Sequence, residues 1–177
     1  YDTHLSIMGV KVLGDGALGS RGSALLKDYS DDPGNRGSYR FTDEEIYNVM
    51  SLAYNNGYQI AYPAIGDGAN HQVLNTYERL LKENPREDPR LRIEHFQVVT
   101  PEDIDRALEL GILTAMQFTH ATSDLSMAED RLGPERIQTA YAWRTVLDKG
   151  GIIIGGSDAP VEMVNPFHGL YAGVTRM

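Results

Sequence analysis

Short apolar runs alternate with stretches that carry helix-start signals along the whole chain, and this constrains the fold more than any other feature. The runs are Met8 to Leu13 (MGVKVL), Tyr58 to Tyr62 (YQIAY), Leu91 to Phe96 (LRIEHF), Ile112 to Phe118 (ILTAMQF) and Ile152 to Ile154. The first leads into a long glycine-rich, polar loop from Gly14 to about Arg40. Thr42 to Glu45 then reads as a capping box, with Ile46, Val49, Met50 and Ala53 as the apolar stripe of a helix that Gly57 ends. Val73, Leu74, Tyr77, Leu80 and Leu81 mark a helix after the second run, and Thr100-Pro101 opens one after the third. After the fourth run the pattern predicts a polar loop and a helix from about Pro134 to Lys149, and His168 falls in the first turn of a last helix. Strands that each precede a helix predict a parallel α/β fold.

Five such units fit either an open doubly wound sheet or part of a (β/α)8 barrel. Lys11, Asp67, His95, His120 and Asp158 all fall inside or just beyond the C-terminal ends of different runs, where barrel enzymes keep their chemistry. A complete barrel takes about 250 residues. The 177 residues here are therefore expected to hold only part of one, as a single partial barrel domain over 1–177. A start at Tyr1 rather than Met suggests an internal piece of a longer polypeptide.

A formal net charge of -9 argues against nucleic-acid and anionic-membrane binding, since both need a basic face. A small molecule is the expected partner. The absence of cysteine excludes a disulfide framework and thiolate metal ligands but leaves the compartment open, with the cytoplasm favoured. No apolar run approaches membrane-spanning length, and the first residues lack the shape of a signal peptide. The GDGALG stretch at Gly14 to Gly19 is a literal G-x-G-x-x-G after a strand, which raises a dinucleotide-binding alternative. It does not open a helix, and the region where an acidic residue should end a second strand is turn.

The candidate residues each admit a plainer reading. Lys11, in a strand of apolar residues, shares a face with Gly9 and Leu13 and suits either a protected sheet edge or a site. His95 at a strand end suits a hydrogen-bonded core residue or a metal ligand, and alternation turns Glu94 the other way, toward the helices. Asp67 reads as the N-cap of a helix starting near Ala69 or as a site residue. In GGSDAP, Asp158 leaves an apolar strand at two glycines, where its carboxylate can bind a metal or accept a proton, or can shape a turn. His120 lies in the loop after the fourth run, with contact to a ligand and a structural role left equal.

GVKVLGDGALGSRGSAL, AIGDGAN, RIEHFQ, MQFTHATSD, YAWRTVL, GGSDAPVE and NPFHGLYAGVTR occur in that order, and together they resemble the amidohydrolase superfamily. The specific resemblance is to its amidohydrolase-3 branch, which includes N-substituted formamide deformylase and exoenzyme-regulator-like proteins. It covers essentially all of the chain. The resemblance implies a distorted (β/α)8 barrel with a small β domain, and metal-assisted hydrolysis of C–N bonds in non-peptide amides. This chain would be strands four to eight, with the earlier strands and the small domain absent. Lys11 matches a lysine that the resemblance implies is carbamylated, and His95 matches a histidine ligand. Asp158 matches an aspartate that serves as metal ligand and general base toward metal-bound water. The implied metal is divalent, zinc in most readings, as one or two ions.

Two departures bear on activity. The family's His-x-His pair has no counterpart, and Pro63 stands where relatives carry a histidine ligand. Proline cannot bind a metal, and a catalytic zinc generally needs three protein ligands. The sequence therefore predicts a hydrolase portion that is inactive and metal-poor by itself, with His120, Arg21 and Asp67 as candidate substrate contacts. A noncatalytic barrel that binds a small ligand is the alternative. Unpaired edges at the first and last strands are expected to be covered by missing sequence or by a second copy in a homodimer.

Overall fold

A computed structural model describes residues 4–177. It contains five parallel strands in sequential order: β1 (Gly9–Lys11), β2 (Gln59–Ala64), β3 (Arg92–His95), β4 (Leu113–Met116) and β5 (Ile153–Gly155). Helices α1 (Asp43–Asn55), α2 (Asp67–Glu83) and α3 (Pro101–Glu109) follow β1, β2 and β3. After β4 come α4 (Phe118–Ser123), α5 (Ala128–Arg136), a short 3-10 turn and α6 (Trp143–Asp148), and α7 (Pro166–Thr175) follows β5. Neighbouring strands in chain order, all parallel and each followed by helix, make a partial (β/α) barrel. Among the described residues no helix is long and apolar enough to cross a membrane.

The helix starts are set locally as the sequence predicts. Thr42 accepts from the Glu45 N–H while the Glu45 carboxylate reaches back to the Thr42 N–H at 2.9 Å, which closes the capping box. Thr100 accepts from Asp103 N with Pro101 in the first turn. Ile46, Met50 and Ala53 are buried as expected, whereas Val49 lies on the exposed side and Tyr54 takes its place in the core.

The strand register fixes which side chains share a face. Tyr62 pairs with Ile93 and Ile93 with Thr114, and this row, with Ile60 and Val12, is buried against the helices. The opposite face carries the row Lys11, Ala61, Arg92 and Leu113, then the row Pro63, Glu94 and Ala115. Glu94 therefore does not face the helices, as simple alternation from His95 predicts. It lies on the inner face with Lys11 and pairs with Arg92 at 2.6 Å. The alternation fails because His95 and Phe96 have φ of 72° and 43°, which turns the chain at the strand end.

Three other expectations are corrected. The loop and long helix after β4 are in fact a series of short helices, because Gly133 has φ of 76° directly before Pro134 and Tyr141 has φ of 52°. The helix after β2 begins at Asp67 with Gly66 as its N-cap, so Asp67 is not the cap. A Cβ on Gly66 would come within 2.0 Å of the Ala24 carbonyl, which is why glycine stands there. Pro63 does not end the strand either. Its carbonyl accepts from Gly14 N at 3.0 Å, so the side of the backbone that lacks an N–H faces β1, where the ladder is already ending.

The long loop after β1 is held by one buried carboxylate. Asp15 is 9% exposed and accepts from Ala24 N at 2.9 Å, Gly66 N at 2.8 Å and Ile65 N at 3.0 Å. It thereby ties the loop to the turn between β2 and α2. Burial pushes its carboxyl up to about 6, against the pull of those three N–H groups and of Arg40. Asp15→Asn puts an NH2 against at least one of these donors, and is expected to cost about 2 to 4 kcal/mol in urea unfolding. Because the folded protein holds this proton more tightly than the unfolded chain, the group's contribution is fully present below about pH 4. It is lost as pH rises to about 6. Asp15→Asn should remove that part of the pH dependence, and an unchanged midpoint and pH slope would refute the role.

Candidate active site

The C-terminal ends of β1, β3, β4 and β5 bring four polar side chains into one neighbourhood. Lys11 comes from the last residue of β1, His95 from the last residue of β3, His120 from the first turns of α4, and Asp158 from just beyond β5. The His95 and His120 rings stack, with centroids 5.7 Å apart and planes 19° apart. His95 also feels the charges of Asp158 and Lys11. Burial first, and then the neighbouring His120 and Lys11, hold its pKa below the ordinary imidazole value, while Gln117 and Asp158 pull it back up.

Two of these positions have backbones that few residues adopt. His95 has φ of 72° and Asp158 φ of 54°. Non-glycine residues in that region cost on the order of 1–3 kcal/mol each. At His95 the turn interrupts the strand's alternation, and the ring lies against His120 and Gln117.

His95 Nδ1 lies 2.8 Å from Gln117 Oε1. His120 Nε2 is buried and has no hydrogen-bond partner, as is Thr119 Oγ1 beside it. Beneath them Asp124 accepts from Gln97 Nε2 at 2.9 Å and from the Tyr141 hydroxyl at 2.7 Å, a buried network that anchors the start of the segment after α4. Asp124 N in turn donates to His120 O at 2.9 Å.

Asp67 and Arg21 are engaged elsewhere. Asp67 is buried and accepts from Leu26 N at 2.9 Å, bracing the same loop as Asp15, and burial raises its pKa. Arg21 donates from Nε and Nη2 to both carboxylate oxygens of Asp31 at 3.1 and 2.9 Å. Gln117 and Asp15 were not singled out from the sequence. The available signal for Gln117 was a polar amide near the end of the largely apolar run Ile112 to Phe118.

Among the described residues, no three His, Asp or Glu side chains stand close enough together to hold a metal ion. Pro63, on the inner face next to Glu94, adds no donor. The described side chains therefore do not by themselves close a metal centre.

The whole chain, residues 1–177, matches the model of the amidohydrolase family. The chain belongs to that family. It is 40% identical to YtcJ of Bacillus subtilis (strain 168) over 94% of its own length and 31% of that protein. It superposes on an uncharacterized metal-dependent hydrolase from Pyrococcus furiosus with a TM-score of 0.88 and 30% identity, covering 100% of this chain and 36% of the other. A second such hydrolase, from Pyrococcus horikoshii OT3, gives a TM-score of 0.84 and 31% identity over 96% of this chain and 33% of that one. The chain spans about a third of the length of these relatives. The family implies a divalent metal.

If the four side chains share one electrostatic neighbourhood, substitutions at two of them must move the titration of a third. Asp158→Asn removes a negative charge and is expected to lower the His95 pKa further, whereas Lys11→Met removes a positive one and should raise it. Proton NMR titration of the His95 ring checks both signs. No response to either change would mean that the strand ends do not converge.

Proposed function

We propose that this chain is the catalytic-face portion of a metal-dependent hydrolase that cleaves C–N bonds in non-peptide amides. What supports the reading is that His95 stacks on His120 and lies within electrostatic reach of Lys11 and Asp158, which come from separate strand ends of a partial barrel. In this reading Asp158 is the general base. Its carboxylate, held in an uncommon backbone conformation at the mouth of β5, takes the proton from the attacking water. The buried Nε2 of His120, which has no partner within the chain, is assigned to hydrogen-bond the substrate once the complete site opens to it. Lys11, on the inner face, contributes positive charge or, as a carbamate, a carboxylate.

The incomplete donor set limits what the isolated chain does. The residues His95, Asp158 and Lys11 do not by themselves close a metal centre. Turnover is therefore assigned to an assembly that supplies further donors, and the isolated chain is proposed to be inactive. Further barrel strands or a second copy of this chain would also cover the open sides of β1 and β5, each of which has a neighbouring strand on one side only. A second reading is a barrel that binds a small ligand without catalysis. It is favoured by Pro63, which removes an imidazole from the inner face.

The two readings part on metal and activity. In the full-length parent, hydrolysis of an N-substituted formamide should be abolished by chelator, and Asp158→Asn should lower kcat by roughly 100- to 10,000-fold. Chelator-insensitive turnover would defeat the hydrolase reading. For the isolated chain, elemental analysis is expected to give well under one metal per molecule, rising in Pro63→His. Stoichiometric metal in the unmodified chain would overturn the incomplete donor set.

A further inference from the structure

A neutral His95 ring carries a hydrogen on one nitrogen and a lone pair on the other, and its contact with Gln117 bears on which is which. We infer that Gln117 is a positioning residue that holds His95 as the Nδ1–H tautomer, leaving Nε2 as the lone-pair nitrogen of the site. The inference rests on the placement of His95 in the hydrolase site proposed above.

The argument begins with donor and acceptor types. Gln117 Oε1 lies 2.8 Å from His95 Nδ1, and an amide oxygen carries only lone pairs. The hydrogen must therefore come from Nδ1. In the neutral ring the remaining nitrogen, Nε2, then has the lone pair. Free imidazole side chains favour the opposite tautomer, so the preference here must be imposed by the partner.

The surroundings make that partner effective. Gln117 is 7% exposed, so water does not readily replace its oxygen as the acceptor. It occupies the N-cap position of α4 but makes no side-chain cap bond, which leaves its amide available to His95. Its backbone is fixed on both sides. The Gln117 carbonyl accepts from His120 N at 3.1 Å, and the preceding Met116 carbonyl accepts from Gly156 N at 3.3 Å. One short segment thus sets the tautomer of His95, seats His120 and ties the end of β4 to the end of β5. A strand-end glutamine is otherwise hard to explain, because it forgoes the capping bond that a shorter polar residue would make there.

The tautomer can be read with no substrate and no turnover, so failure of this inference and failure of the hydrolase reading are separable. Nitrogen-15 NMR of the full chain, with the His95 signals identified by comparison with His95→Asn, distinguishes the protonated ring nitrogen from the bare one. At a pH above the His95 titration, the unmodified protein is expected to show Nδ1 protonated and Nε2 bare. Gln117→Leu, which keeps bulk and removes the acceptor, should reduce the Nδ1–H population severalfold. Gln117→Glu, which restores an acceptor oxygen, should return it. A protonated Nε2 in the unmodified protein overturns the inference whether or not the leucine variant folds. So does an unchanged Nδ1–H population in a folded Gln117→Leu.

Discussion

The C-terminal face of the sheet depends on the buried carboxylate of Asp15. A loop running from Gly14 to Arg40 has no regular ladder to satisfy its backbone, and burying such a segment without partners would leave several N–H groups orphaned. Asp15 supplies acceptors for Ala24 N on the loop and for Ile65 N and Gly66 N at the β2–α2 turn. Asp67 then completes the fastening from the other side by accepting from Leu26 N. The two aspartates face each other's segments, so the loop and the turn hold one another. A site built on strand ends needs this, because a loose loop beside β1 would leave Lys11 without a fixed frame.

Much of the architecture was legible because local signals and tertiary demands agree. Thr42 with Glu45, and Thr100 with Pro101, mark helix starts by chemistry that needs no distant partner. The five apolar runs match five strands for the same reason: buried parallel strands need continuous apolar sequence. Expectation and structure part where one backbone angle decides. Tyr141 breaks what reads as one helix from Pro134 to Lys149, Gly133 kinks the helix that begins before it, and positive φ at either is invisible to periodicity. At Val49 and Tyr54 the apolar stripe is rotated, since either residue satisfies the pattern and only packing against the sheet chooses between them.

The same limit governs the site. Lys11, His95, His120 and Asp158 draw attention in the sequence from their place inside or just beyond strand ends, because a polar side chain there is costly unless it is used or paired. Asp67 does so in the same way and Arg21 as a candidate substrate contact, yet their partners are Leu26 N and Asp31 in the loop. Glu94 shows the opposite error. Alternation from His95 sends it toward the helices, while the register with Pro63 and Ala115 puts it on the inner face beside Arg92. The ladder is the better guide, since hydrogen bonding fixes the face of every residue up to the point where His95 turns away.

The inner face also explains why proline is tolerated at position 63. In a parallel strand the N–H and C=O of one residue point to the same neighbour, and the Pro63 carbonyl points to Gly14. The β2–β3 ladder therefore loses nothing, and the pairing of Pro63 with Glu94 stays in register. Backbone structure places no penalty there that would force a histidine to be kept. Residue 63 meets no backbone demand for an N–H, and it stands on the inner face in the row with Glu94 and Ala115. The positive φ at His95 and Asp158 is a separate matter, because neither backbone depends on what stands at residue 63.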